Sequence, residues 1–450
     1  GWFTSLFPVA LTPGADRPGE ALKAVKEQLR AVPRRGVGYG LTHDLTALPA
    51  GLSFNYLGQF DAVTAGGPLG VVAESAGAMT AESGVRAHLV EVNGAVSGGR
   101  LSVGWSYSSN LHDRATVAGL AEEFMVRLRA LIEHCVAGDA GGLTPSDVPL
   151  AGLDQAALDA FADRQAEDVY PLSPLQQGML FHALAEPDSG LYVEQIHWRV
   201  HGELDADRLR HAWQAVMERH SVLRTTIGTD TGAPLQFVHR RFEVPFDLID
   251  WSGLSEGERD SRIAELVTAD RLSGFAFDTG PLFRIRLVRL GSSTHHLVWS
   301  FHHILLDGWS LSTVLRDVFA WYERPSPGDD HVRPFRDYLG WLGEQDLDAA
   351  EEFWRRRLAG FEEVTPFDPG TAPRPDDGPG KGRVGMGEVR LPAETLNGLA
   401  RLARSQRLTL STLAQGAWGL LLSRYSGRRD VVFGTTVSGR PAGLDGVEEM

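Results

Sequence analysis

The 450-residue chain predicts an α+β fold. Three observations lead there. Segments that alternate with period two and segments with helical spacing are mixed without a strict β-α-β rhythm. Hydrophobic residues make up 43% and charged residues 22%, the balance of a folded globular protein. The length admits two or three domains with substantial cores.

In chain order, 21–30 has helical spacing, with Leu22, Val25 and Leu29 on one face. Residues 52–57 and 101–107 alternate like strands, and 118–136 reads as a helix closing the first block. Residues 138–147, rich in Gly, Pro, Ser and Asp, read as linker, followed by a short helix over 153–161. The whole connection, 137–167, is short enough to dock instead of hanging free. Next come a strand at 195–201 and a helix at 205–220, with Leu209, Trp213 and Val216 inward and Arg219 at its end. Residues 283–290 alternate apolar and arginine, so the arginines are expected outside, and this strand should pair with the one leading to His302. Residues 366–387, rich in Pro, Gly and Asp, read as crossover or linker. Two helices over 396–425 precede a strand at Val431.

Charge and composition exclude several functions. A net charge of -15 with no lysine-arginine block argues against a general nucleic-acid surface. No apolar run approaches the roughly 20 residues needed to span a bilayer, and no secretory signal opens the chain. Cys135 is the only cysteine, so neither an internal disulfide nor a multi-cysteine metal site can form. These features fit a segment of a cytoplasmic enzyme. Gly378-Pro379-Gly380-Lys381-Gly382 lacks the Ser or Thr and the leading glycine of a P-loop. The run from Arg355 to Arg357 reads as a solvated helix face, and the pair His295-His296 as packing or surface.

His302-His303-Ile304-Leu305-Leu306-Asp307-Gly308 is where chemistry is expected. It lies between a strand-like run, 297–301, and an amphipathic helix, 309–319, a junction at which a scaffold can present a side chain to a cleft. Histidine moves protons near neutral pH because its ordinary pKa is about 6.5. Adjacent histidines on a strand point to opposite faces, which disfavours a shared metal and leaves one of them facing a cleft. Asp307 can hold an arginine or cap the helix, and Gly308 permits a backbone that other residues avoid.

The motifs around this segment make a resemblance specific. Tyr170-Pro171-Leu172-Ser173-Pro174-Leu175-Gln176-Gln177-Gly178-Met179-Leu180-Phe181-His182 is similar to the opening motif of condensation domains of nonribosomal peptide synthetases. Arg219-His220-Ser221-Val222-Leu223-Arg224-Thr225 resembles their second motif, and the stretch from His302 to Ser310 their active-site motif. The runs from Phe277 to Arg284 and from Val431 to Pro441 match further motifs in the same order. At the front, the runs from Gly1 to Val9, Pro33 to Gly40 and Phe54 to Gln59 resemble the last motifs of a sister type, the epimerization domain.

The resemblance implies a chloramphenicol-acetyltransferase-like two-lobed fold, present as two incomplete copies. Residues 1–136 would be the C-terminal lobe of an epimerization-like domain, lacking its His-bearing lobe and unable to epimerize alone. Residues 137–167 would be the linker, 168–342 the N-terminal lobe of a condensation domain, and 343–450 its C-terminal lobe, truncated at the end. The implied reaction joins a carrier-bound thioester donor ending in a D residue to the amine of a carrier-bound L-aminoacyl acceptor. Gln177-Gly178-Met179-Leu180 and Asp307-Gly308-Trp309-Ser310 resemble that subtype.

His303 is expected to be the catalytic residue, as general base or as an anchor for the amine. His302 should pack beneath the loop, and Asp307 should pair with a buried arginine, Arg224 or Arg219. Gly308, Trp309 and Ser310 complete the site, with backbone N–H groups at the helix start as candidates for the oxyanion. No cofactor is expected to bind directly. Substrates would arrive on 4'-phosphopantetheine arms of carrier domains, with adenylation domains of the same synthetase as further partners. The competing readings are a catalytically inert docking module of the same fold and an unrelated acyltransferase using free coenzyme A.

Overall fold

The computed structural model describes residues 4–14, 17–44, 51–59, 85–137, 140–230, 232–324, 332–366 and 387–450. Most of the Pro/Gly/Asp-rich stretch and the first three residues of the Gly1–Val9 run lie outside them. The chain divides into two compact units, 1–339 with 449–450, and 340–448.

In the first unit, helix α1 (Pro18–Arg30) opens with proline at its first position, where the missing N–H costs nothing. Strands β1 (Leu52–Gln59), β2 (Val90–Ser97) and β3 (Arg100–Tyr107) follow in one sheet, β1 parallel to β2 and β2 antiparallel to β3. Helix α2 (Arg114–Val136) ends this block. The connection behind it is docked. Thr144 and Asp147 form a capping box, and Asp147 also takes Lys26 Nζ at 2.5 Å and Arg30 Nη1 at 2.6 Å from α1. Ser146 Oγ donates to Glu27 at 2.5 Å, and Lys23 reaches Asp159 at 2.6 Å.

Two further sheets follow. One has the order β4 (Ala166–Pro171), β7 (Leu235–His239), β6 (Thr225–Gly228), all antiparallel. The other has the order β5 (Val193–His201), β10 (Thr294–His302), β9 (Phe283–Arg289), β8 (Phe246–Asp250). Strand β10 is antiparallel to both neighbours, so it is central and buried along nearly its whole length. Helices α3 (Pro174–Ala185), α4 (Ala206–Arg219), α5 (Glu256–Leu272) and α6 (Gly308–Glu323) complete the lobe. The core lies where α4 and α6 meet β9 and β10. Trp213 and Trp299 are fully buried there with ring centroids 5.1 Å apart.

Two expectations are corrected by this architecture. The first concerns β9, whose Arg284 and Arg286 are not solvent-facing, because α5 lies over that side. Both donate Nε to the buried Asp270 carboxylate, at 2.8 and 2.7 Å. Alternation alone reports two faces and cannot tell solvent from a covering helix that supplies its own carboxylate.

The second unit holds helices α7 (Leu347–Arg357), α8 (Ala393–Ser405) and α9 (Leu410–Ser426). Here lies the second correction: the run from Val431 forms no strand among the described residues. Val432 satisfies its backbone on a side chain instead. Its N–H donates to Thr365 Oγ1 at 2.8 Å, and that hydroxyl donates to its carbonyl at 3.0 Å. A strand needs a partner backbone, which β-propensity does not supply.

Candidate functional site

The His302–Gly308 loop leaves the central strand β10 at a buried position. Ile304, Leu305 and Leu306 are all buried and pin it to the core. His302 N donates to Leu282 O and His303 N to Tyr192 O, at 2.9 and 2.8 Å, which carries strand-like pairing into the loop. Tyr192 has a left-handed backbone, with φ 59°, a sparsely populated conformation that often marks a functional site.

The two histidines are placed differently. His302 is 2% exposed, its Nδ1 accepts from Ile304 N at 3.1 Å, and burial together with neighbouring His303 pushes its pKa down to about 4. It is neutral at physiological pH. His303 is half-buried, and its Nδ1 lies 2.6 Å from Leu306 O. A carbonyl only accepts, so Nδ1 carries a proton, and in the neutral ring Nε2 then holds the lone pair. That is the tautomer a general base needs, held by a backbone carbonyl.

Asp307 caps α6, its Oδ1 accepting from both Ser310 N and Ser310 Oγ at 2.8 Å. The expected pairing with Arg224 or Arg219 is corrected. Arg224 is committed to Glu167 at 2.8 Å and to the carbonyls of Met217, Glu218 and His239. Arg219 lies 3.3 Å from Asp317. Sequence proximity within a motif carried no information about which carboxylate each arginine meets. Gly308 is the first residue of α6, without positive φ and with open space where a Cβ would stand. The backbone freedom expected of it is therefore not used. Trp309 is 52% exposed, and Ser310 N–H is spent on the cap, which leaves Gly308 and Trp309 as the oxyanion candidates at this helix start.

The loop depends on a residue to which no role was assigned from the sequence. Gln176 is buried, and its Nε2 donates to Ile304 O at 2.9 Å and to Gln236 Oε1 at 3.1 Å. Its Oε1 accepts from Ser173 N at 2.9 Å, closing a capping box on α3. The signal was present, since Ser173-x-x-Gln176 is a capping-box pattern, but the reach to Ile304 was not. Beneath the strand, Ser300 Oγ donates to Asp270, which therefore ties α5 to β9 and β10 together. Further along, His220 Nε2 meets Asp317 Oδ2 at 2.8 Å and fastens the end of α4 to α6.

Among the described residues no cluster of three or more His, Cys, Asp or Glu could hold a metal ion. No helix among them is long and apolar enough to cross a membrane.

Residues 1–148 and 166–450 match the profile of the condensation-domain family. A component of the linear gramicidin synthase of Brevibacillus parabrevis is 44% identical over 470 aligned residues, covering 100% of this chain and 6% of that protein. Chondramide synthase of Chondromyces crocatus is 38% identical over 509, covering 100% and 13%. The chain thus spans a small part of the length of these relatives. Among solved structures, the starter condensation domain of rhizomide synthetase, as a double mutant with bound ligands, shares the fold. Its TM-score is 0.50 at 18% identity, over 65% of each chain.

Proposed function

The chain belongs to the condensation-domain family, and from that premise we propose that residues 168–450 form a peptide bond between two carrier-bound substrates. The observation that carries this reading is the contact of His303 Nδ1 with Leu306 O at the end of a rigid strand, which in the neutral ring leaves the lone pair on Nε2.

In the proposed step the acceptor amine attacks the thioester carbonyl of the donor. A C–N bond forms and the C–S bond breaks. His303 Nε2 takes the proton lost by the attacking nitrogen and returns it to the departing thiolate, so no net proton is consumed. The Leu306 carbonyl steadies the transient imidazolium through Nδ1–H, and N–H groups at the start of α6 face the developing oxyanion. Bringing two tethered substrates together contributes more than the proton transfer, because positioning alone supplies several kcal/mol, on the order of 7–11 at best. The thioester arms are 4'-phosphopantetheine groups on carrier domains of the same synthetase, loaded by its adenylation domains.

The finer reading is that the donor ends in a D residue. It rests on the subtype motifs at Gln177–Leu180 and Asp307–Ser310 and on the epimerization-like motifs of 1–136. On this reading 137–167 is the linker, and the condensation lobes are 168–342 and 343–450.

The test is single-turnover condensation by the parent synthetase's full domain, with D-ending and L-ending donors on the upstream carrier. Product from the D donor, reduced about 100-fold or more in His303→Ala, is expected. Preference for the L donor overturns the subtype. Folded protein with no product from either donor points instead to an inert docking module.

A further inference from the structure

A cavity of about 290 Å3 lies against His302, and His303 is not among the residues that line it. Its walls come from the end of α3, the start of β5, the end of β6 and the segment 274–278 ahead of β9. Val193, Ile227 and Phe277 make the interior apolar, His302 is part of the wall, and the exposed residues Glu186 and Asp278 add carboxylates.

His302 decides what such a cavity would hold. Its Nδ1 accepts from Ile304 N–H, so that nitrogen bears no proton. Burial keeps the ring neutral, which leaves its single proton on Nε2. Nε2 is buried and has no partner among the described residues. Native proteins rarely keep a buried donor unpaired without a use for it. The Phe277 ring stands edge-on to the imidazole with centroids 4.9 Å apart, and Phe277 itself is only half-buried.

We propose that this cavity is a binding site for a small neutral ligand with an apolar body and a carbonyl oxygen, an amide or ester, that accepts from His302 Nε2. Displacement of the Phe277 edge gives the oxygen access, and the apolar walls take the ligand's chain. The carboxylates of Glu186 and Asp278 disfavour an anion of the same length. Binding is non-covalent and does not involve His303, so it stands or falls separately from the condensation reading.

The probe is hexanamide, with hexanoate as its charged counterpart, titrated into the 450-residue chain carrying isotope-labelled histidine. The His302 ring signals are recognised by their Nε2–H tautomer and by their loss in His302→Gln. Hexanamide is expected to move them saturably, and hexanoate to bind at least tenfold more weakly. Ala276→Trp and Thr229→Arg, both at exposed wall positions, should abolish the shift while the other histidine signals stay in place. An unmoved His302 signal in the folded wild type overturns the proposal. So does an undiminished shift in both wall variants, or equal affinity for hexanoate.

Discussion

Single side chains set the state of this site. Gln176 holds the loop by its carbonyl at Ile304, one residue from His303. Gln176→Met keeps the volume but leaves Ile304 O and Gln236 short of partners in a buried setting. A stability loss of about 1–3 kcal/mol is expected by denaturant titration. Because the loop carries the proposed base, turnover in the synthetase should fall about tenfold or more with KM unchanged. The buried histidines set the acid limit. Both His302 and His296 have pKa values pushed down to about 4, the first by burial and His303, the second by burial, His197 and Arg199. Between about pH 6.5 and 4 the unfolded chain therefore binds protons that the native one does not, so stability falls as pH falls through that window. His296→Gln should flatten the dependence of melting temperature on pH between 7 and 4.5. A slope identical to wild type would show that His296 does not contribute.

Elements are fastened by a few polar contacts across an apolar interior. Helix α5 is bound to β9 and β10 through Asp270, which meets Arg284, Arg286 and Ser300 at once. Although burial raises the Asp270 pKa, the Ser300 hydrogen bond and the two arginines outweigh it and hold the carboxyl below its usual range. Its stabilisation is thus present above about pH 4 and is lost as pH falls through the depressed native value. Asp270→Asn removes the charge but not the shape, leaving the half-buried Arg284 without a counter-ion and Arg286 with the exposed Asp247 alone. A loss of about 3–5 kcal/mol is expected, with amide exchange in α5 accelerating most. An unchanged melting curve would show that the network is decoration. The elements themselves were legible where the hydrophobic pattern is long. Helix α4 and strands β9 and β10 follow from Trp213, Val216 and the alternation in 283–290. The failure at Val431 has the opposite cause, because a strand is a property of two backbones and only one was visible.

On the scale of the whole molecule, the front block is joined to the rest of its unit through charge. Lys26 and Arg30 converge on Asp147, and Lys23 on Asp159, so α1 and the connection behind α2 form a clamp. Asp147→Ala should barely change global stability, since such partly exposed pairs are worth about 0–1 kcal/mol. It should raise amide exchange in α1 at least tenfold while leaving β9 and β10 unaffected, and high salt should mimic it in the wild type. Exchange in α1 that ignores both the substitution and salt would mean that apolar contacts hold the dock.

What the sequence by itself determined is what local chemistry determines. The α+β class follows from period, the proposed site from a His-His-x-x-x-Asp-Gly segment between a strand and a helix, and the family from motifs in order. Tertiary structure alone decided the pairings. It gave Asp307 to Ser310 as a helix cap, Arg224 to Glu167, Arg219 to Asp317, and the carbonyl of Ile304 to Gln176, 128 residues away in the chain. It also set the proton on His303 Nδ1, because the Leu306 carbonyl that holds it there comes into place only when three apolar neighbours are buried. Hydrogen bonds and ion pairs are short-ranged and directional, so their partners are fixed by where the packed core brings the chain back upon itself.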